Sequence, residues 1–215
     1  MIKVFIFDQR LYQPSEFKFG DAEEQRLNAI KNPKRRLESA SALAALSILT
    51  KQYSSSPSLD VLRDENGKPF FKDADIPFSL AHSGDISIAA ICDEKDKSIG
   101  VDVEKILERQ NCLQFAERFF NETEKSEFAK SNFSLNSFFR LWTRKEAVAK
   151  MTGLGVSEIL GGASDIKASV STKSFVFYNK NDEYCLSVCV NASDFNVEFY
   201  NNSPSIKIIN ITKGY

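Results

Sequence analysis

The sequence predicts an α+β fold, and three observations carry that expectation. Strand-like runs cluster along the chain instead of alternating strictly with helices. After Val156 the pattern changes over to strand runs. The loop signatures of doubly wound nucleotide-binding sheets, GxGxxG and GxxxxGK[ST], are absent, as is the GxSxG nucleophile elbow.

The elements follow in order. "IKVFIFD" near the start is a short β-branched and aromatic run and reads as a strand. The segment from Asp21 to Tyr53 is mostly helical and broken at Asn32-Pro33, where Pro33 suits the first turn of a second helix with the body "LESASALAALSILTKQY". "SSSPS" at 54–58 is a loop, and "DENGKPFF" turns at Asn66-Gly67. Strands are expected at "FSLAHS", "ISIAAICD" and "SIGVDVE", then helices at "CLQFAERFF", "ETEKSEFAKS" and "LNSFFRLWTRKEAVAKMTGLG", the last stopped by Gly153 and Gly155. Strand runs close the chain: "DIKASV", "KSFVFYN", "EYCLSVCV", "FNVEFY" and "SIKIINI". An internal boundary near residues 94–98 divides 1–97 from 98–215, without obvious identity between the halves.

Composition narrows the function classes. Twenty-eight Lys and Arg against 29 Asp and Glu leave a net charge of −1, so no bulk attraction to nucleic acid or an anionic membrane is expected, and phosphate binding must come from local basic clusters. No run approaches the roughly 18 apolar residues of a membrane span, and the six residues between Met1 and Asp8 are too short for a signal-peptide core, so a cytoplasmic protein is expected. Cys92, Cys112, Cys185 and Cys189 form no CxxC pair, and one histidine cannot complete a zinc set; buried reduced thiols are expected, with Cys185 and Cys189 on one strand face.

Chemistry concentrates in "SIGVDVEKI". Alternation sends Ile99, Val101 and Val103 to one face and Asp102 and Glu104 to the other. Two carboxylates at i and i+2 suit either a solvated edge strand or a hard divalent cation, since Mg2+ takes one or two protein carboxylates and fills its remaining positions with water and phosphate oxygens. In "FFRLWTRKEAVAK", Phe139, Trp142, Glu146 and Lys150 fall on one helical face. Glu146 therefore points at the protein body, where its partner is a metal or Lys150, while Arg144 and Lys145 point elsewhere. His82 ends a short strand before a Ser-Gly-Asp turn, a place where free backbone N–H groups can meet an anion. The basic cluster "KNPKRRLE" stands at a helix start, unfavourable for the helix dipole unless an anion is bound or the face is solvated.

Taken in this order, "KRRLE", "ENGKPFF", "FSLAHSGDISIA", "IGVDVEKI" and "LWTRKEAVAK" resemble the 4′-phosphopantetheinyl transferase superfamily, and more specifically its monomeric, two-subdomain type. The resemblance covers residues from about 30 to 155; GVDVE and WxxKEA are its specific part. It implies two similar α+β subdomains, and transfer of the phosphopantetheine arm of coenzyme A to a serine of an apo acyl or peptidyl carrier protein, releasing adenosine 3′,5′-bisphosphate. Asp102, Glu104 and Glu146 would hold Mg2+, or Mn2+ in its place, against the pyrophosphate. Lys150 would neutralise or protonate the leaving phosphate. His82, Lys68 and Arg36 would contact the nucleotide end, His82 and Arg36 mainly its 3′-phosphate. Glu124 matches a family acid near the metal, although Asn121 followed by Glu124 is also a helix-start signature. Phosphoryl transfer needs positioning and charge neutralisation, which a metal, lysine and arginine supply, and Glu146 or a water beside the metal would take the serine proton.

Two departures from the family pattern are expected to weaken coenzyme A binding: Ala81 replaces a serine before His82, and "SASALAAL" lacks a second arginine. The alternatives are another Mg2+-dependent phosphoesterase or nucleotidyl transferase using the same acids, and a non-catalytic carrier-binding module. Of the seven phenylalanines between Phe115 and Phe139 most belong to a core, with Phe128 or Phe133 expected to meet the carrier helix.

Overall fold

The computed structural model describes residues 1–51, 60–108, 111–154 and 170–212. The loop expected at 54–58, Gly155 and nearly all of the strand expected at 165–170 lie outside the described residues. Within them the chain is a mixed α+β protein, and its elements follow the expected order.

The first strand, β1 (Ile2–Asp8), is followed by α1 (Asp21–Ala29) and α2 (Pro33–Thr50). Helix α2 starts where Pro33 predicts, with Asn32 Oδ1 accepting from the Arg35 N–H. A short hairpin, β2 (Val61–Arg63) and β3 (Pro69–Phe71), precedes β4 (Phe78–Ser83) and β5 (Ile86–Cys92). Next come β6 (Ile99–Lys105), α3 (Cys112–Phe119), α4 (Glu122–Lys130) and α5 (Leu135–Thr152). Helix α5 ends on Gly153 in the left-handed region, at φ 74°. The chain then runs through β7 (Ser171–Asn179), β8 (Asp182–Val190), β9 (Val197–Asn201) and β10 (Ile206–Thr212).

Two four-stranded sheets form, in the orders β4-β5-β1-β9 and β10-β7-β8-β6. In the first, β4, β5 and β1 are antiparallel neighbours; β9, from late in the chain, adds in parallel beside β1. In the second, β7, β8 and β6 are antiparallel neighbours. The alternation of each strand decides the layers. Ile2, Val4 and Ile6 of β1 and Ile99, Val101 and Val103 of β6 share one core with Leu186 and Val188 of β8. Phe5 and Phe7 face the other way, onto Leu43, Leu46 and Leu49 of α2. Cys185 and Cys189 share the opposite face of β8 and pack against α5, and all four cysteines are free and buried. No helix among the described residues is long and apolar enough to cross a membrane.

One residue sets how closely α5 can lie on β6. A Cβ built on Gly100 would stand 1.9 Å from the Ala147 carbonyl oxygen and 2.5 Å from the Met151 nitrogen, both backbone atoms of α5. Only glycine permits that approach. Ala147 and Met151 are both buried at the contact. We predict that Gly100→Ala destabilises the protein by about 3 kcal/mol, the upper end of overpacking costs, because the helix backbone must lift off the strand. Urea unfolding followed by circular dichroism measures this; an unchanged midpoint would refute the contact.

Candidate active site

The approach of α5 to β6 carries Lys150 to Asp102. Lys150 Nζ donates to Asp102 Oδ1 at 2.8 Å. Asp102 is 7% exposed, and its second oxygen, Oδ2, is buried without a hydrogen-bond partner. Burial raises its pKa, and Lys150 opposes the rise. Glu146 lies one turn before Lys150. Burial pushes its carboxyl up to about 7, the neighbouring charges of Asp102 and Glu104 add to the rise, and Lys150 works against it. Glu104 accepts a hydrogen bond from Ser83 Oγ at 2.9 Å. Asp102, Glu104, Glu146 and Lys150 are thus brought within electrostatic reach of one another. The choice left open for Glu146, a metal or Lys150, resolves in part: the ammonium bonds Asp102.

The charges of Asp102 and Glu104 both disfavour ionisation of Glu146, so the three acids are an unfavourable set when all are charged. Among the described residues no three acidic, histidine or cysteine side chains form a closed cation cage in this arrangement. The donor chemistry nevertheless fits a hard divalent cation: all the donors are carboxylate oxygens, and one buried oxygen of Asp102 has no partner.

Beside the acids lies a cavity of about 320 Å3 whose wall includes Lys68, Phe78, Leu80, Glu146, Lys150 and Gly153. Lys68 lines it but its ammonium is engaged, donating to the Met151 carbonyl at 2.7 Å in the last turn of α5. Burial lowers the Lys68 pKa. A separate groove is lined by Ile30, Lys31, Asn32, Arg35, Ser39 and His82. Arg35, which the sequence reading did not single out, lines this groove; the Arg36 guanidinium donates twice to the Ile30 carbonyl, at 3.2 and 2.8 Å.

His82 Nδ1 lies 3.6 Å from Oε2 of the buried Glu38. Desolvation lowers the imidazole pKa, Glu38 counteracts this, and the charges of Lys150, Asp102 and Arg35 act more weakly. Glu38 also escaped the sequence reading. The one signal was an acid inside an otherwise small and apolar helical run.

Glu124 completes a capping box with Asn121, whose N–H donates to Glu124 Oε2 at 2.8 Å. The same oxygen pairs with Lys145 Nζ at 2.8 Å. Lys145, expected to point away, has a side chain only 11% exposed. Its pairing links α4 to α5 at the residue before Glu146.

The two departures at 81 and after 36 have a structural explanation. Ala81 is 3% exposed inside the shared core, so a hydroxyl there would not face the groove that His82 lines. Residues 40–46 of α2 are all buried, and Ala40, Leu43, Ala44, Ala45 and Leu46 share a core with the first sheet. Phe128, expected as a carrier contact, is 2% exposed and packs on Phe120 and Phe138, which removes it from the surface. Phe133 is 52% exposed.

Comparison with known proteins adds independent findings. A family model described as the 4′-phosphopantetheinyl transferase superfamily matches residues 98–200. The chain is 32% identical over 153 residues to the 4′-phosphopantetheinyl transferase AcpT of Salmonella typhimurium, covering 70% of this chain and 76% of that protein. It is 31% identical over 145 residues to a 4′-phosphopantetheinyl transferase of Bacillus subtilis, covering 61% and 62%. The 4′-phosphopantetheinyl transferase gsp of Aneurinibacillus migulanus is 38% identical over 96 residues, covering 44% and 38%.

The raised Glu146 carboxyl has a consequence for stability. A carboxyl whose folded pKa of about 7 lies above its unfolded value of 4.5 costs stability once ionised, so its contribution falls as pH rises from 4.5 through 7. In chelator-treated protein, Glu146→Gln should be more stable than wild type at pH 8 by about 2 kcal/mol, discounted for partial solvent screening, with the difference gone below pH 4.5. Paired urea titrations across that range test this, and a pH-independent difference would contradict it.

Proposed function

The chain belongs to the 4′-phosphopantetheinyl transferase superfamily, and from that membership we propose that it transfers the 4′-phosphopantetheine arm of coenzyme A to a serine of an apo acyl or peptidyl carrier protein, releasing adenosine 3′,5′-bisphosphate. The observation that carries the reading is the convergence of Asp102, Glu104, Glu146 and Lys150 beside a cavity that Lys68 also lines. In this reading Asp102, Glu104 and Glu146 hold Mg2+, or Mn2+ in its place, and the bound ion supplies charge neutralisation to the pyrophosphate. The carrier serine Oγ attacks the phosphorus that bears the pantetheine arm, and the bond from that phosphorus to the bridging oxygen breaks. Glu146, or a water beside the ion, accepts the serine proton. Lys150 stands one turn along the same helix face to neutralise or protonate the leaving phosphate. His82, with Lys31 and Arg35 in the groove, takes the 3′-phosphate. Glu124 acts from farther out, through its pair with Lys145.

The two-subdomain organisation, 1–97 and 98–215, belongs to the same proposal. It is supported by a repeated topology: the order β4-β5-β1 with α2 on its outer face matches β7-β8-β6 with α5 on its outer face. We further infer a cytoplasmic monomer that binds neither nucleic acid nor membrane; the near-zero net charge and the four free cysteines support this.

The carrier must reach the acids across a surface. Helix α3 exposes Leu113 and Phe115, 60% and 41% exposed. The Phe115 ring meets Trp142 at 6.0 Å, one turn before Glu146 on α5. This apolar patch continues the catalytic face of α5 and is the surface on which the carrier would sit.

Incubation with coenzyme A, Mg2+ and a panel of apo carriers, read by intact mass, should show one phosphopantetheine adduct; its absence from every carrier would defeat the reading. Asp102→Ala should lower transfer at least about 100-fold, as expected for loss of a charge-positioning group, while keeping the circular dichroism of the wild type. Phe115→Ala should raise the carrier KM about tenfold, the equivalent of one lost aromatic contact, and leave the coenzyme A KM unchanged. An unchanged carrier KM would remove this face from the docking surface.

A further inference from the structure

We propose that Ser83 is a positioning residue for Glu104, orienting that carboxylate before any cation binds. The inference rests on the reading of Asp102, Glu104 and Glu146 as the cation site.

The geometry begins with the free edge of β6. One edge of β6 pairs with β8, and the Ile106 N–H continues that ladder by donating to the Glu183 carbonyl at 2.8 Å. Backbone N–H groups alternate along a strand, so those of Val101 and Lys105 point to the opposite edge. There they meet β4, itself the edge of the other sheet. Side-chain hydroxyls of β4 take them: Val101 N–H donates to Ser79 Oγ at 3.1 Å, and Lys105 N–H donates to Ser83 Oγ at 3.0 Å. The two sheets are therefore joined at this seam by serine side chains.

Ser83 differs from Ser79 in one respect. Its hydroxyl accepts from Lys105 and donates its own proton to Glu104 Oε2, at 2.9 Å. Both functions of the hydroxyl are thus assigned, and the backbone of β6 fixes the direction in which the O–H can point. A glutamate side chain has more rotamers to lose than an aspartate, so holding it in one orientation needs a partner. Asp102 is restrained by burial and by Lys150; Glu104, at the more exposed end of β6, is restrained by Ser83. Groups that hydrogen-bond a ligating carboxylate typically change metal affinity 10–100-fold when removed.

The test is Mn2+ binding to the full-length protein in the presence of coenzyme A, followed by electron paramagnetic resonance, beside the Mg2+ concentration that gives half-maximal transfer. Ser83→Ala should weaken Mn2+ binding at least about tenfold and raise the Mg2+ requirement by a similar factor, with kcat largely recovered at saturating Mg2+. Ser83→Thr, which keeps the hydroxyl on a β-branched residue suited to a strand, should restore wild-type affinity. Ser79→Ala removes the corresponding seam bond without touching a carboxylate; it should lower the melting temperature but not the Mn2+ affinity. If Ser83→Ala does not fold, Ser83→Cys makes the same comparison, because a thiol donates and accepts only weakly. Wild-type Mn2+ affinity in the Ser83 variant, or an equal loss in Ser79→Ala, would overturn the proposal while leaving the transferase reading intact. Failure of the folded wild type to bind Mn2+ would overturn both, even where coenzyme A still binds.

Discussion

The contact between Gly100 and the backbone of α5 is the constraint on which the rest of the structure depends. A helix normally packs on its neighbours through interdigitating side chains. Here the Ala147 carbonyl and Met151 nitrogen come so near Gly100 that no Cβ fits between them. The approach brings the ammonium of Lys150 to an aspartate two residues beyond that glycine. A bulkier residue at 100 would separate the basic helix from the acidic strand. Ala147, on the α5 face that meets Gly100, serves the same purpose from the other side.

That proximity creates an electrostatic conflict. Asp102 is buried with one oxygen unpartnered, Glu146 is driven toward its uncharged form, and Lys150 is bonded to Asp102. Packing alone would not retain such an arrangement, since apolar residues of similar volume would be as stable or more so. Local rules of stability are broken most often where a site needs charge it cannot balance by itself. In the proposed reading a divalent cation and the coenzyme A pyrophosphate would together supply the missing balance.

The two sheets contribute different parts of the site. The second provides the acids, through β6 and α5. The first provides His82 and the basic groove, through β4 and the start of α2. Ser79 and Ser83 join them by bonding hydroxyls to backbone N–H groups, which holds β4 beside β6 without a regular ladder. Consecutive residues of β4 thus face different parts of the candidate site: His82 lines the groove and Ser83 bonds Glu104.

Much of this was legible in the sequence because it follows from short-range periodicity. The period-two pattern of SIGVDVE separates its aliphatic residues from its acids, and the helical spacing of Trp142, Glu146 and Lys150 places them on one face; both hold in the structure. The helix starts at Pro33 and Asn121 and the stop at Gly153 were equally readable, since caps are local chemistry. What the tertiary structure decided depends on residues far apart in the chain. Ala81 is core because the second sheet covers it, and Phe128 is core because Phe138 of α5 packs on it from the next helix. Glu38 reaches His82 across 44 residues of sequence, and Ser83 reaches Glu104 across 21. Periodicity states which way a side chain points on its own element, but only packing determines what it meets there.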